Sequence, residues 1–179
     1  MKKLIACCAF LLSFMTQATV VKVELDKSHY QVGDNISAQL KILDYTAGVS
    51  VFQLDLRYLL AGLNLESVSF SGALNNGFQD YWHTGDVLSL LEFNTDLSVD
   101  LAALQSAEFV VATLKFKALL AGSFSLDLLS ADLGDLDGNT ITPVELQGAG
   151  FNVAGATVPA PATALLLLPA LLMLVRRRA

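Results

Sequence analysis

Hydrophobic and polar residues alternate with a period of two along several stretches of this chain. Such alternation is typical of β-strands that bury one face, because successive side chains point to opposite sides of a sheet. The pattern runs through residues 20–26, 36–42, 52–58, 112–118 and 124–128. Turns that contain glycine or asparagine, residues that tolerate a positive φ, separate these stretches. The sequence therefore predicts short strands packed as an antiparallel β-sandwich.

One segment departs from this pattern. Leu97, Leu101 and Leu104 recur at helical spacing, which fits equally a single short helix or a loop that crosses one end of the sandwich. The sequence shows no internal repeat and no second domain. We therefore assign residues 19–153 to one sandwich domain and residues 154–161 to a linker with a proline motif.

The first 18 residues have the three parts of a signal peptide. Two lysines precede an apolar run that ends at Met15, and small residues stand at positions −3 and −1 of a cleavage site after Ala18. The run is too short for a membrane-spanning helix, which needs about 20 residues. Both cysteines lie in this segment, so the exported domain depends on core packing rather than on disulfides.

Residues 162–179 form a second apolar segment that ends in three arginines. The part from Ala162 to Val175 would span about 21 Å as a helix, against a hydrocarbon core of about 30 Å. Pro169 weakens it further. Because positive residues favour the cytoplasmic side, the pattern predicts a short transmembrane helix or sorting tail, with the sandwich domain held outside.

Pro159 and Pro161, the apolar run and the basic end together resemble the PEP-CTERM sorting signal of Gram-negative bacteria that make exopolysaccharide; the basic residues are Arg176, Arg177 and Arg178. The resemblance implies processing by an exosortase, a membrane protease-transpeptidase, and delivery to the cell surface or the extracellular biofilm matrix. Ala160 stands where that signal usually has a glutamate. Whether the tail is cleaved or retained as a membrane anchor is therefore left open.

Charge is divided unevenly along the chain. Residues 19–157 carry all 17 acidic residues but only six of the 11 basic ones, a net charge of −11. A nucleic-acid-binding domain needs a basic face, so the composition argues against a nucleic-acid partner. The apolar fraction of 54% is raised by the two ends, and this argues against a protein with several membrane spans.

The order of the segments resembles the cohesin family of bacterial β-sandwich modules. A turn at residues 30–36 is followed by GVSVFQLDLRY, LNLESVSFSGAL, LKFKALLAGSFSLDLLSADLGDLDGN and ELQGAGFNV, over about residues 20–153. The resemblance implies a jelly-roll sandwich of about nine strands that binds dockerin modules or serves as a surface or carbohydrate-associated scaffold. The dockerin-contacting positions of that family cannot be matched residue by residue, so none is transferred here.

Oxygen ligands are concentrated in one acidic cluster of the kind that Ca²⁺ binds, made of Asp132, Asp135, Asp137 and Asn139. The cluster does not fit an EF-hand. With Gly138 at loop position 6, position 1 is Leu133 and position 12 is Val144, so the bidentate glutamate is missing. A structural calcium site and a solvated turn between the last strands are the two interpretations.

Tyr81 and Trp82 lie in the segment FQDYWH, between two glycine-containing turns. We interpret this segment as a loop. Its aromatic rings are candidates for stacking on the sugar rings of an extracellular polysaccharide, or they plug one end of the sandwich.

Candidate catalytic chemistry is sparse. The exported domain has no cysteine, two isolated histidines (His29 and His83) and no GxSxG motif, so nucleophilic catalysis of the known kinds is not indicated. Glycoside hydrolysis needs only two carboxylates, which makes a glycan-active hydrolase with an unidentified carboxylate pair the alternative. The sequence favours a non-catalytic surface or matrix module that binds a protein or a glycan and requires no cofactor.

Overall fold

The computed structural model describes residues 18–155, and within them the chain forms eleven β-strands and one short helix. In chain order these elements are β1 (Thr19–Leu25), β2 (His29–Gln31), β3 (Asn35–Leu43), β4 (Val49–Arg57), β5 (Leu63–Phe70), β6 (Phe78–Thr84), β7 (Val87–Phe93), α1 (Leu101–Leu104), β8 (Glu108–Ala118), β9 (Gly122–Asp135), β10 (Val144–Gln147) and β11 (Ala149–Ala154).

The strands form two sheets that pack face to face. One has five strands in the order β10-β1-β3-β8-β5, and the other has six in the order β2-β11-β9-β4-β7-β6. Pairing is antiparallel except for β1 with β10 and β2 with β11, which are parallel. The predicted β-sandwich is confirmed, with these two parallel pairs as an addition that the sequence pattern did not indicate.

The described fold has eleven strands rather than about nine, and the chain passes repeatedly from one sheet to the other. The first crossing lies between β1 and β2, and the last one in the described residues lies at Gly148 between β10 and β11. A Cβ atom at Gly148 would lie 2.6 Å from the main-chain oxygen of Leu126. Only glycine therefore lets the chain cross at this point without displacing β9.

The first crossing is held by Asp26. The Tyr30 hydroxyl donates to Asp26 Oδ1 at 2.8 Å, and the Ser37 N–H donates to the same oxygen at 2.9 Å. Burial, together with the bond to Asp26, raises the pKa of the Tyr30 hydroxyl. Tyr30 then packs edge-on against Phe151, at 5.5 Å between ring centroids, which ties β2 to β11.

The core is built from the apolar half of each alternating strand. Leu54, Leu56 and Phe52 of β4 are fully buried and face the other sheet, where Ile36 and Leu114 are also fully buried. Burying one such side chain contributes roughly 1.5–3 kcal/mol, and the described domain has no disulfide to add to this. The alternation that predicted these strands is thus the alternation that supplies the core.

The structure contradicts the sequence interpretation of one segment and decides between the two alternatives for another. Residues 78–84, interpreted as a loop, form strand β6, and every one of its seven residues is exposed. An exposed edge strand buries neither face, so it has no hydrophobic alternation by which the sequence could reveal it. The segment around Leu101 forms one helical turn, α1, whose N-terminus is capped by Asp100.

No helix within residues 18–155 is long and apolar enough to cross a membrane. The predicted signal peptide, the proline motif at Pro159 and Pro161, the C-terminal apolar segment and Arg176, Arg177 and Arg178 lie outside the described residues, apart from Ala18.

Candidate binding face on the six-stranded sheet

The polar half of the alternation lies on the outer side of the six-stranded sheet. Strand register places side chains of β6, β7, β4 and β9 in rows across this side. We call it the binding face, and its central residues are Phe78, Asp80, Trp82, Ser89, Leu91, Phe93, Val51, Gln53, Asp55, Ser130 and Asp132.

Aromatic side chains dominate the β6 side of the binding face. Phe78 and Phe93 stack with 5.0 Å between ring centroids and 22° between ring planes. Phe78 is 47% exposed, Phe93 37% and Trp82 39%. Adjacent exposed aromatic rings on a water-facing sheet are typical of interaction surfaces, whereas single exposed apolar residues are not informative.

A carboxylate stands at the centre of the binding face in a fixed position. The Ser89 hydroxyl donates to Asp55 Oδ1 at 2.6 Å, and the Ser130 hydroxyl donates to Oδ2 at 2.7 Å. Hydrogen bonds to a charged acceptor are stronger than bonds between neutral groups. Asp55 is thereby held in one orientation by a neighbour on each side, from β7 and from β9.

Next to this carboxylate the binding face is shallow. A depression of about 350 Å³ opens between β4, β7 and the turn after β9, where Gln53, Leu91, Asp132 and Asn139 line it. Small-molecule sites are usually clefts that enclose most of a ligand. An open depression on a sheet face suits contact with a broad surface better than it suits an enclosed substrate.

The binding face is acidic. Across the six strands of this sheet Arg57 is the only basic residue, and it lies 3.7 Å from Asp127, between its Nη2 and the Asp127 Oδ2. Arg57 shares β4 with Asp55 but lies against Asp127, and the strands of Asp80 and Asp132 contain no lysine or arginine. The face therefore presents negative charge beside exposed aromatic rings.

The two aromatic residues that the sequence proposed as one sugar platform point to opposite sides of β6. Trp82 pairs with Ser89 and lies on the binding face, whereas Tyr81 pairs with Leu90, which faces the core. Both residues are well exposed, at 39% for Trp82 and 47% for Tyr81. The interpretation that they plug an end of the sandwich is therefore wrong, and they do not form a single platform.

The acidic cluster at the C-terminal end of β9 and in the following turn is organised around Asp135. Its Oδ1 accepts from the Asp137 and Asn139 N–H groups at 3.0 and 2.8 Å, and its Oδ2 accepts from the Asn139 amide at 3.0 Å. These bonds, with the Asn139 amide first, lower the pKa of Asp135. Asp132 lies apart from them, beside Gln53 on the binding face.

The acidic side chains of this cluster do not form a group of three that could hold a metal ion. Within residues 18–155 no group of three histidine, cysteine or acidic side chains is arranged to hold a metal ion. The turn is built from hydrogen bonds to one carboxylate, as an Asp-Gly turn of this kind commonly is. Calcium binding by Asp132, Asp135, Asp137 and Asn139 stays a prediction.

Sequence reasoning missed Glu92, a carboxylate that is fully buried. Glu92 lies on the inner side of β7, where it pairs with Phe52 of β4, and its Oε1 accepts from Gln79 Nε2 at 2.9 Å. Its Oε2 has no hydrogen-bond partner among the described residues. Burial raises the pKa of Glu92, against the opposing effect of the Gln79 bond. The alternation of β7 would have revealed it, since Glu92 falls in register with Leu88 and Leu90.

Glu92 does not act on a substrate from this position, because none of its surface reaches solvent. A second polar pair lies at the open side of the sandwich, where the Tyr58 hydroxyl and His83 Nε2 are 3.0 Å apart. Burial raises the pKa of the Tyr58 hydroxyl. The depression beside this pair, about 290 Å³, is lined by Leu60, Leu63 and Leu65 among others and includes no carboxylate.

The fold is that of cohesin domains. A type II cohesin domain from the cellulosome of Acetivibrio cellulolyticus superposes with a TM-score of 0.66 and 21% identity, over 76% of this chain and 96% of that chain. A non-cellulosomal cohesin from the archaeon Archaeoglobus fulgidus matches with a TM-score of 0.59 and 22% identity, over 76% and 90% of the two chains.

A third match is a type I cohesin–dockerin complex from Clostridium thermocellum, with a TM-score of 0.63 and 14% identity over 75% of this chain and 99% of that chain. No family model matches the chain, and neither does any curated protein. The likeness confirms the cohesin-like fold that the sequence predicted. At these identities it establishes the fold alone.

Proposed function

We propose that this chain is a non-catalytic binding module that docks a folded protein partner on the binding face. The observation that carries the proposal is the co-occurrence of exposed aromatic rings, at Trp82, Phe78 and Phe93, with a fixed central carboxylate, Asp55. Aromatic residues dominate the energetics of protein interfaces, and charged groups around them select the partner.

The solved relatives support a protein as the partner. The Clostridium thermocellum structure is described as a complex of a cohesin with a dockerin, and a dockerin-like module is therefore one candidate. The Archaeoglobus fulgidus cohesin is described as non-cellulosomal, so the same fold also serves outside cellulosomes. The acidity of the binding face favours a partner with a basic surface.

A catalytic role has less support from the described residues. Glycoside hydrolysis needs two carboxyl groups that flank a bound sugar, and a raised pKa on the general acid. Burial raises the pKa of Glu92, but this carboxyl group is enclosed in the core and cannot reach a bound sugar. A glycan-active hydrolase would therefore need another carboxyl group as its acid.

The experiment is capture of partners from the native cell-surface fraction by the immobilised full-length chain. The double variant Trp82→Ala/Phe93→Ala removes two rings from the binding face, and Thr113→Ala/Lys115→Ala alters the outer side of the other sheet as a matched control. We expect the first variant to lower capture of the retained protein at least tenfold and the second to leave it unchanged, with both variants folded by circular dichroism.

Two outcomes would contradict the proposal. Equal loss of capture in both variants would show that the binding face is not the site. Retention of a surface polysaccharide instead of a protein, lost with Trp82→Ala, would make the module a glycan binder.

The proposal includes export and sorting. The signal peptide at residues 1–18 supports secretion, and the proline motif with Arg176, Arg177 and Arg178 supports an exosortase-type processing enzyme as a second partner. Mass spectrometry of the mature protein should find Thr19 at its N-terminus, and an intact Met1 would contradict export. The mature C-terminus shows whether the tail is removed with Ala160 in the motif or kept as an anchor at the cell surface.

A further inference from the structure

Strand β6 is an edge of the six-stranded sheet, and it is unusually open. The other edges of the described sandwich are short or irregular: β2 has three residues, β10 has four, and β5 has a break in register between Leu65 and Ser67. β6 has seven residues, pairs with β7 in unbroken register and contains neither proline nor lysine. Proteins usually protect such an edge, because its unpaired main-chain groups can pair with another strand.

The hydrogen bonds of β7 identify the free groups of β6. The Asn94 N–H donates to the Ser50 oxygen, and the Tyr58 N–H donates to the Asp86 oxygen, so the even-numbered residues of β7 bond to β4. Bonding directions alternate along an antiparallel pair, and the odd-numbered residues of β7 therefore bond to β6. In β6, Gln79, Tyr81 and His83 consequently direct their main-chain groups outward.

Of these three residues, Tyr81 already uses its outward N–H in a hydrogen bond. The Tyr81 N–H donates to Asp80 Oδ1 at 2.8 Å, which agrees with its pointing away from β7. An added strand would need this N–H, so it must offer Asp80 a replacement donor. Asp80 lies on the binding face between Phe78 and Trp82, the residues two positions away along β6.

We propose that the edge of β6 is a strand-addition site for an extended, basic segment of a partner protein. A lysine or arginine on the added strand, opposite Asp80, donates to the Asp80 carboxylate in place of the Tyr81 N–H. The Tyr81 N–H is then free for main-chain pairing. The same cation then lies beside the Trp82 ring, where cation–π attraction adds to the ion pair. Main-chain bonds supply the affinity of such a strand, and the side-chain contacts supply its selectivity.

A second copy of this chain fits the edge poorly. Symmetric pairing of two β6 strands would be centred on Tyr81 and would place Asp80 opposite the Trp82 of the second copy. Neither Asp80 would then have a cation, and two acidic binding faces would join in one sheet. Charge thus favours a basic partner strand over self-pairing.

This inference concerns main-chain groups at the edge and does not depend on docking at the binding face. Val51 lies on the binding face two strands away from β6. A substitution there therefore distinguishes docking on the binding face from strand addition at the edge. Val51→Lys is expected to weaken capture of a face-bound protein and to leave strand addition at β6 unchanged.

The test measures binding of labelled nine-residue peptides to the full-length chain by fluorescence anisotropy. One peptide alternates threonine and valine around a central lysine, a second has glutamate in place of the lysine, and a third repeats the first with alternate amides N-methylated. We expect the lysine peptide to bind at least tenfold more tightly than the glutamate peptide, and N-methylation to abolish binding.

Two charge reversals complete the test. Asp80→Lys should invert the preference, so that the glutamate peptide binds more tightly, because the selecting charge is reversed. Glu66→Lys makes the same charge change on the irregular edge strand β5 and should leave the lysine preference in place. If both variants change the peptide preference equally, the preference depends on the net charge of the domain and not on Asp80. That result would overturn the inference.

The inference is also overturned if the N-methylated peptide binds as well as its parent, or if the lysine and glutamate peptides bind equally. Sedimentation of the chain as a dimer that Asp80→Lys dissociates would show that a second copy occupies the edge. If the peptides fail while partner capture still depends on Trp82 and Phe93, strand addition is refuted and the proposed function stands.

Discussion

The outer sides of the two sheets use charge in different ways. On the five-stranded sheet Lys41 lies 3.0 Å from Glu24 and 2.8 Å from Glu108, and Lys22 lies 3.5 Å from Glu24. On the six-stranded sheet the carboxylates outnumber the single arginine, and Asp55 is held by two hydroxyl groups instead of a cation. The first side neutralises itself, whereas the second presents its charge to solvent.

The difference in apolar exposure follows the same division. The exposed rings of Phe78, Trp82 and Phe93 lie on the six-stranded sheet. The outer rows of β1, β3 and β8 contain no aromatic ring and are mainly polar or charged, with the half-buried Val20, Leu43 and Val110 as their apolar members. A side that is neutral and polar gains little from covering. A side with aromatic rings and uncompensated charge gains from a partner that buries the rings and supplies cations. This difference favours the six-stranded sheet as the side for the proposed docking.

The largest expected effect comes from Gly77, where β6 begins against β7. A Cβ at Gly77 would lie 2.0 Å from the Phe93 main-chain oxygen, so Gly77→Ala must displace β6 from the sheet. We expect the free energy of unfolding in urea to fall by about 2–4 kcal/mol. Gly150→Ala is the control, since its Cβ would meet nothing closer than 3.8 Å and should change stability by less than about 0.5 kcal/mol. Equal losses would mean that β6 is not held against β7 in this way.

The next effect concerns Glu92, which lies beneath the binding face. Its pKa is raised in the folded state, so the folded protein retains a proton that the unfolded chain releases, and stability falls as pH rises above the ordinary glutamate pKa. Glu92→Gln should raise the free energy of unfolding at pH 8 by about 1–3 kcal/mol, the cost of a buried polar group without a partner. The gain should vanish near pH 4.

Urea unfolding across this pH range checks the prediction for Glu92, with the exposed Glu66→Gln as control. A pH-independent difference between wild type and Glu92→Gln would show that burial of the charge is not its cause.

A smaller effect is expected at the centre of the binding face. Asp55→Ala leaves the Ser89 and Ser130 hydroxyls without their acceptor, and we expect a loss of about 1–2 kcal/mol in thermal unfolding. Asp132→Ala removes a carboxylate from the same face and should cost less than about 0.5 kcal/mol. If the two substitutions cost the same, the serines do not hold Asp55 as described.

On the other sheet, Lys41→Met breaks two contacts with glutamates and should lower the melting temperature only slightly, because exposed ion pairs contribute little. The Lys41 hydrogen bond and charge lower the pKa of Glu24, so the stabilisation is present at neutral pH and is lost as pH falls through the lowered pKa. In about 1 M NaCl the variant and the wild type should melt together. A difference that survives this salt would contradict a screened surface pair.

The smallest effect is expected for calcium. Both oxygens of Asp135 already accept hydrogen bonds from the turn, so a thermal melt in excess calcium should match one in chelator to within about 1 °C. A clear rise of the midpoint with calcium, lost in Asp135→Asn, would establish a calcium site in this turn.

The parts of the fold that bury one face were predictable from the sequence. Ile36 to Ile42 and Phe52 to Leu56 alternate because each strand has one buried side, and the structure places both segments in strands facing the core. Strand β6 was not predictable in this way because both of its sides are exposed. The two short strands β2 and β10 were missed because three or four residues are too few to show a period.

The candidate site was only partly accessible. The sequence singles out Tyr81 and Trp82 as aromatic candidates and leaves open whether they are exposed or plug the sandwich. Their exposure, and their separation to opposite sides, depend on the placement of strand β6. The sequence does not distinguish Asp55 from the other carboxylates, because its two serine partners lie 34 and 75 residues away along the chain. Glu92 was missed because a charged residue is expected to be exposed, although its position in the same row of β7 as Leu88 and Leu90 indicates the inner side.

By itself the sequence determined the strand-forming segments, the acidity of the domain and the cohesin-like order of its strands, because these are properties of local pattern and composition. Only the tertiary structure decided which carboxylates lie against a lysine and which do not. The physical reason is that ion pairs and hydrogen bonds act through space: Lys41 finds Glu108 across neighbouring strands, while Asp80 at an open edge finds only the Tyr81 N–H. An edge, and the binding that it permits, exists only once the strands are placed in order.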